Sequence, residues 1–378
     1  MISSTSSSNR GLALILACAC ATAPRKPRSA PGPIAVFPPV NLSGIGAPVK
    51  ELRAALDSAL RVQGIPLIDE VALELFLSKH RVRYTGGVDR EVALAARAEL
   101  GAESILIATL ELYQREGPPK LGVGLRLVTA GDDPAIAFID SEARTGDQSP
   151  GPFDLGLVNG LPELRADVLR RLAGALSSFL AGAGAPVRGC EVSGRFLPRS
   201  AFRSPRLGNR GGQTVAVLPF LNETQRRSAG DLLALESARQ LAAAGFRVVE
   251  PGIVRDELLR YRIVMENGVS LDTARVVSEL LRADLVVAGA VRDYSDAGVP
   301  AVDFTAIVLD RQNSEILWQS TSYNRGDDGV WFFDAGAIST ASALSCRMVA
   351  AVAHGIAGNG ATPQALAPLP PPPPEPAP

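Results

Sequence analysis

Aromatic side chains make up only 5% of the 378 residues, so any core must be built from aliphatic ones. There are two His and four Cys, and two of the Cys fall within the first 20 residues. That set is too small for a zinc ribbon or an iron–sulfur protein. The net charge is −1, which excludes a generally basic nucleic-acid binder and a strong steering field. Catalytic signatures are missing too. The chain has no Gly-x-Ser-x-Gly, no Walker loop and no Gly-x-Gly-x-x-Gly after a strand. Gly122-Val-Gly124 lacks the third Gly and sits inside an expected strand. His80 and His354 have no Cys, Asp or Glu at metal-ligand spacing. Gly131-Asp-Asp133 and Gly326-Asp-Asp-Gly329 read as turns, because carboxylates beside Gly are what turns use. The expectation is therefore a non-enzyme with no catalytic residue, cofactor or metal.

Hydrophobic residues are 46% and charged residues 20%, enough for ordinary cores. A prior of ~150 residues per domain suggests two domains.

The amino terminus carries an address. Polar residues 1–9 precede Arg10, then a short apolar run from Gly11 to Ala17. That run is far too short for a ~20-residue membrane span, and it sits at the lower limit of a secretory signal core. Ile15-Leu-Ala-Cys18 resembles a bacterial lipobox, with Cys20 the weaker alternative. The resemblance implies cleavage after residue 17 and lipidation at Cys18. Multiple acyl chains would anchor the chain stably. Ala19, rather than Asp, after Cys18 implies outer-membrane sorting by the same resemblance. Residues 18–33 are a Pro-rich basic tether that could reach at most ~50 Å from the lipid.

The strongest signal is a duplication. Ile34-Ala-Val-Phe-Pro-Pro-Val-Asn41 matches Val215-Ala-Val-Leu-Pro-Phe-Leu-Asn222 at an offset of 181. The offset holds without a gap to Tyr113 and Tyr294, pairing Gly64 with Gly245 and Arg81 with Arg262. It then becomes 180, pairing Phe153-Asp154 with Phe333-Asp334. Two homologous domains are expected, at 34–180 and 214–357. Each reads β-α-β-α-α-β-β-β-α, an α/β sandwich with a mixed sheet covered by helices. Gly64 and Gly245 read as helix stops, and Asp89 and Ser270 as N-caps. Asn41 and Asn222 read as Asx turns. The short runs Ile65–Ile68 and Phe246–Val249 read as strands.

In the second copy, the motifs Val215–Asn222, Gly245-Phe-Arg-Val-Val-Glu250, Ala283–Gly289 and Val308-Leu-Asp310 with Glu315-Ile-Leu-Trp318 carry a resemblance. They resemble the domain shared by the TolB amino-terminal domain, the curli secretion protein CsgG and the penicillin-binding-protein activator LpoB. The first copy follows in outline, with Leu127-Val-Thr-Ala130 for Ile307-Val-Leu-Asp310 and no Trp in the next arm. These relatives do different jobs on one scaffold, so the resemblance implies a fold more than an activity. With the lipobox, it implies a lipid-anchored protein at the periplasmic face of the outer membrane. Such a protein would bind an envelope protein, as scaffold or activator of peptidoglycan synthesis, secretion or polymer export. The alternative is a subunit of an oligomeric export channel. Against a pore, the arms Val302–Leu309 and Ile316–Tyr323 have the length of ordinary strands.

Residues 181–213 read as an interdomain linker rich in Gly and Pro, with six Arg and one Glu. Residues 358–378 read as a disordered tail whose Pro-rich end favours polyproline II. With Cys18 lipidated, Cys20, Cys190 and Cys346 remain. An oxidising periplasm permits a Cys190–Cys346 disulfide. A free, buried Cys346 is the other reading, and neither Cys has a counterpart in the other copy.

Overall fold

A computed structural model of the chain describes residues 32–147, 157–208, 212–263, 265, 267–278, 280–330 and 336–358. The lipobox with Cys18 and Cys20, nearly all of the tether, the paired Phe-Asp dipeptides and the Pro-rich tail lie outside the described residues.

The first copy runs β1 (Ile34–Val36), β2 (Val40–Asn41), α1 (Val49–Val62), α2 (Glu70–Lys79), α3 (Arg90–Leu100), β3 (Ser104–Gln114), β4 (Lys120–Thr129), β5 (Ile136–Thr145) and α4 (Leu161–Leu180). After β6 (Ser200–Arg203) the second repeats it: β7 (Thr214–Val217), β8 (Leu221–Asn222), α5 (Ala229–Ala243), β9 (Arg247–Val248), α6 (Pro251–Arg260), α7 (Leu271–Ser278), β10 (Leu285–Ser295), β11 (Ala301–Asp310), β12 (Ile316–Arg325) and α8 (Ala341–Ala357). Two mixed sheets result, each covered by helices, in an α/β fold.

In the first sheet β1 and β2 run parallel to β3, and β3, β4 and β5 form an antiparallel meander. The second sheet has the order β6-β12-β11-β10-β7-β9, with β8 also on β10. Central strands are buried on both faces, which is why Ile105-Leu-Ile-Ala108 and Val286-Val-Ala288 read as unbroken apolar runs. One face of the first sheet packs α1 and α4 through Leu52, Leu56, Leu60, Val168 and Leu172. The other packs α2 and α3 through Leu73, Phe76, Ala93 and Ala96. The second sheet repeats this, with α5 and α8 on one face and α6 and α7 on the other.

Local signals act as the sequence implies. Gly64 and Gly245 stop α1 and α5 at φ +72° and +95°. Asp89 accepts the amide of Val92, and Ser270 that of Thr273. Asn41 and Asn222 accept the amides of Ser43 and Thr224. Substitution between copies is compensated. Fully buried Trp318 occupies the position of Phe138, and Gly355 stands where α4 has Ala175. A Cβ at Gly355 would lie 2.5 Å from the Trp318 ring, so the larger ring needs the smaller neighbour.

Two expectations change. The strand at Ile65–Ile68 is a single bridge from Leu67 to Ile34, because Pro66 interrupts the ladder and the chain turns into α2. The stretch between the copies is built into the second domain rather than a plain linker. Its β6 pairs antiparallel with β12, and Phe196 and Leu207 are buried in the second core. Upstream, Val187 bridges Ile139 at the edge of the first sheet. The stretch thus lies along an edge of each sheet. The β11–β12 arms pair along their whole length inside the second sheet.

Cys190 and Cys346 are joined by a disulfide, with Cα atoms 5.8 Å apart and a sequence separation of 156. It ties the stretch after α4 to α8. In the chain-entropy view a loop of that length stabilises by up to about 5 kcal/mol, with about 2–4 typical. Reduction should lower the urea midpoint by a corresponding amount, and the Cys190→Ser, Cys346→Ser double variant should match the reduced protein. Identical midpoints before and after reduction, with both thiols titrated, would contradict this.

Candidate functional site

The chemistry that sets this chain apart from two independent domains lies where the copies meet. In the first sheet, Thr109 and Glu111 of β3, Gly124 of β4 and Ser141 of β5 share a face with Ile105 and Ile107. Helices α2 and α3 cover only the apolar half of that face. The polar half lies under Leu235, Glu236 and Arg239 of α5.

Three sets of contacts hold that arrangement. The first is an ion pair between Arg126 of β4 and Glu250, the N-cap of α6, with Nε–Oε2 2.8 Å. Their side chains are 3% and 0% exposed. Arg126 also donates to the carbonyl of Gly86 at 2.8 Å, and Glu250 accepts the amides of Val88 and Gly252. The backbones approach closely here: a Cβ on Gly252 would fall 2.2 Å from the amide nitrogen of Val88. The second set surrounds Arg239, which donates to Glu236 at 2.8 Å and lies 3.7 Å from Asp140. Arg188 reaches Asp140 and Glu142 at 2.9 and 3.0 Å. Gln240 accepts the amide of Cys190, so the disulfide is seated in this network. The third set is at the far edge, where Arg226 donates to the carbonyl of Glu111 at 2.7 Å and pairs with Asp296. Lys120 donates to the carbonyl of Asp296.

Glu111 is one of the buried acids of the group. Its carboxylate accepts Ser141 Oγ at 2.7 Å and Ser342 Oγ at 3.4 Å. Gly124 makes the room, since a Cβ there would lie 2.3 Å from Glu111 Oε1. Burial pushes the Glu111 carboxyl above its usual range, against the Ser141 hydrogen bond and the pull of Arg239. Asp140 is raised by the same cause, against Arg188 and Arg239.

Beside the ion pair a cleft of about 570 Å³ opens between the copies. Its walls are largely apolar, from Leu42 of the first copy to Val254 and Leu259 of α6. Asp231 is one of its lining residues. Desolvation by the walls raises its carboxyl, and Arg255 opposes this. The Arg255 guanidinium stacks over Tyr84, 4.3 Å from the ring centre.

Among the described residues the second sheet has no equivalent cover. Registers place Ala290, Thr305 and Thr321 where the first sheet has Thr109, Gly124 and Ser141. Helices α6 and α7 again take the apolar half through Ala288 and Ile307. The polar half is open, with Tyr323 39% and Phe202 of β6 53% exposed beside it.

Other residues singled out by sequence are not part of this group. His80 caps α2, with its ring 3.0 Å from Glu99. His354 is half-buried near the end of α8. Asp328 closes its turn by accepting Asn324 Nδ2 and the amide of Arg325. Among the described residues no cluster of three His, Cys, Asp or Glu could hold a metal ion, and no helix is long and apolar enough to cross a membrane. Sequence reasoning missed Arg126, Glu250, Glu111 and Arg239. The usable signal was charge inside otherwise apolar strand and helix patterns, as in Leu125-Arg-Leu127.

No protein-family model and no curated protein sequence matches the chain. Solved structures similar to it include the PelC dodecamer from Paraburkholderia phytofirmans, at 22% identity over 42% of this chain and 94% of that one, TM-score 0.29. The lipoprotein GNA1162 from Neisseria meningitidis is similar at 20% identity over 30% and 80%, TM-score 0.26. The LpoB C-terminal domain from Salmonella enterica is similar at 16% identity over 31% and 84%, TM-score 0.27.

Glu111 gives the junction a pH signature. A carboxyl whose folded pKa lies above its unfolded value binds its proton more tightly when folded. Its stabilising contribution is full below the ordinary carboxylate range and is lost as pH rises through the folded value. Glu111→Gln keeps an acceptor for Ser141 without the charge. Urea titrations should show the variant more stable than the parent at pH 8, on the order of 1 kcal/mol. The gap should close toward pH 4. A variant less stable at pH 8 would show that the charged form is the favoured one.

Proposed function

We propose that this chain is a lipoprotein of the bacterial outer membrane, held at its periplasmic face through Cys18. It acts by binding an envelope protein, as scaffold or activator, and not as an enzyme. Sorting through Ala19 and the machine served, whether peptidoglycan synthesis, secretion or polymer export, belong to the same proposal. The lipobox and tether support the anchor.

The observation that carries the binding role is the unequal cover of the two sheets. In the first copy the polar half-face is buried under α5 and α8, and the same half-face of the second copy is open. The occupant is a protein surface of paired helices, since that is what the same scaffold accepts within this chain. The open face suits it, with Arg292 and Asp303 paired at 2.7 Å and hydroxyls at Thr305 and Thr321. A second copy of this chain also presents paired helices, α1 and α4, and would be the arrangement of an oligomeric subunit.

Photo-crosslinking residues placed at Phe202 and Tyr323 in intact cells should give one discrete protein adduct. The same residue at exposed Val71 on α2 should give none. Thr321→Arg should abolish the adduct without lowering the melting temperature. An adduct of the chain with itself would select the oligomeric reading, and equal adducts at all three sites would overturn the docking face. Cys18→Ala should release the chain from the membrane fraction; retention there would overturn the anchor.

A further inference from the structure

We propose that the cleft between the two copies binds a single-chain amphiphile, an aliphatic chain ending in an anionic carboxylate or phosphate head. The site is distinct from the open sheet face and does not depend on it.

Three observations carry this. First, the cleft leaves apolar surface in contact with water. Leu259 is 50% exposed at its rim, and Val40, Leu235, Ile263 and Met265 are only half-buried along its walls. A concave apolar surface of this size, about 570 Å³, lies within the range of small-molecule sites. Second, the lining is aliphatic. Among the described residues its one aromatic ring, Tyr84, is already covered by the Arg255 guanidinium, so a planar ligand would find no free ring there to stack on. A flexible chain matches walls of Leu, Val, Ile and Met, where Met adapts to the chain it meets. Third, the charge is lopsided. Among the described residues Arg255 and Arg262 line the cleft against the single acid Asp231, whose carboxylate feels Arg255. Among the described residues neither guanidinium has a carboxylate partner within salt-bridge distance, in a chain where Arg126, Arg226 and Arg239 all do. Two guanidinium groups beside an aliphatic wall are a receptor for an anionic head whose tail lies along the wall. The head belongs at Arg255 and Arg262, and the tail runs toward Leu42 and Ala234, where both copies contribute.

The test uses the purified full chain carrying Cys18→Ala, so that its own acyl groups cannot compete. Titrated with the fluorescent fatty acid cis-parinaric acid below its micelle concentration, it should give saturable binding at a single site. The Arg255→Ala, Arg262→Ala double variant should weaken that binding at least tenfold. Arg260→Ala, on the same helix but already paired with Asp256, should leave it unchanged. Ala234→Phe fills the cleft and should abolish binding at an unchanged melting temperature. Should that variant fail to fold, Leu259→Asp on the exposed rim serves the same purpose. Displacement by palmitate and by lysophosphatidic acid separates a carboxylate head from a phosphate head. Displacement by hexadecanol as effective as by palmitate would overturn the anionic head. The absence of saturable binding, or binding indifferent to both the arginine pair and the cleft variants, would overturn the site.

Discussion

The ion pair between Arg126 and Glu250 is the contact on which the rest of the arrangement turns. Two charges in the dry seam between domains are tolerable only if every remaining donor and acceptor is met. Here Arg126 reaches the carbonyl of Gly86, and Glu250 accepts the amides of Val88 and Gly252. Removing one partner of such a pair typically costs about 3–5 kcal/mol, because the other is left charged and buried. The pair therefore acts less as a source of net stability than as a register pin. It admits one position of α6 against β4, and glycine at 252 lets the backbones close to that position. With α6 fixed, α5 lies over the polar half of the first sheet, Glu111 and Asp140 come under Arg239, and the apolar cleft beside the pair acquires its two walls.

The duplication shows how the pin was made from parts the fold already had. Glu250 corresponds to Asp69, and both cap the helix that follows. Asp69 accepts the amide of Ala72 and ends there. Glu250 is one methylene longer, caps Gly252 and still reaches the other copy. The registers keep the offset at 181 to the end of β4 and place the one-residue shift in the β4–β5 turn, so Arg126, and not Leu127 as the sequence alone pairs it, corresponds to Ile307, which sits in an apolar core against α6 and α7. An Ile-to-Arg change in that environment would be ruinous without a carboxylate delivered to it. The second copy delivers it, so each substitution makes sense only with the other.

These features explain what was legible in the sequence. The repeat, the strand–helix order and the helix ends were readable because each is a local signal: a 3.6-residue apolar period, a Gly at positive φ, an Asp before a helix. Trp318 was visible as a mark of the second copy, but its dependence on Gly355 was not, since the two meet only after α8 docks. The stretch 181–213 reads as a linker because it is rich in Gly, Pro and Arg. Its ordering comes from non-local partners, the free edge of β12 and a disulfide to α8. The junction was least legible. Glu111, Arg126, Arg239 and Glu250 lie far apart in the chain, and each alone looks like a stray charge in an apolar element.

Comparison of the copies assigns them different duties. On the helix side, Glu236, Arg239 and Gln240 of α5 stand where α1 has Ala55, Ser58 and Ala59. Cys346 of α8 stands where α4 has Ala166. The second copy's helices are thus equipped with charge, amide and sulfur to cover a polar face, and the first copy's are trimmed to small side chains. On the sheet side the asymmetry reverses. The first copy offers a buried carboxylate with a glycine cut out beside it, and the second offers Arg292 already paired to Asp303. The Glu111 carboxylate is taken out of water and needs the donors that surround it, whereas the Arg292–Asp303 pair lies partly in solvent and needs no cover. The first sheet has been specialised as an internal seat, and the second retains the same topology in a form that is stable while open.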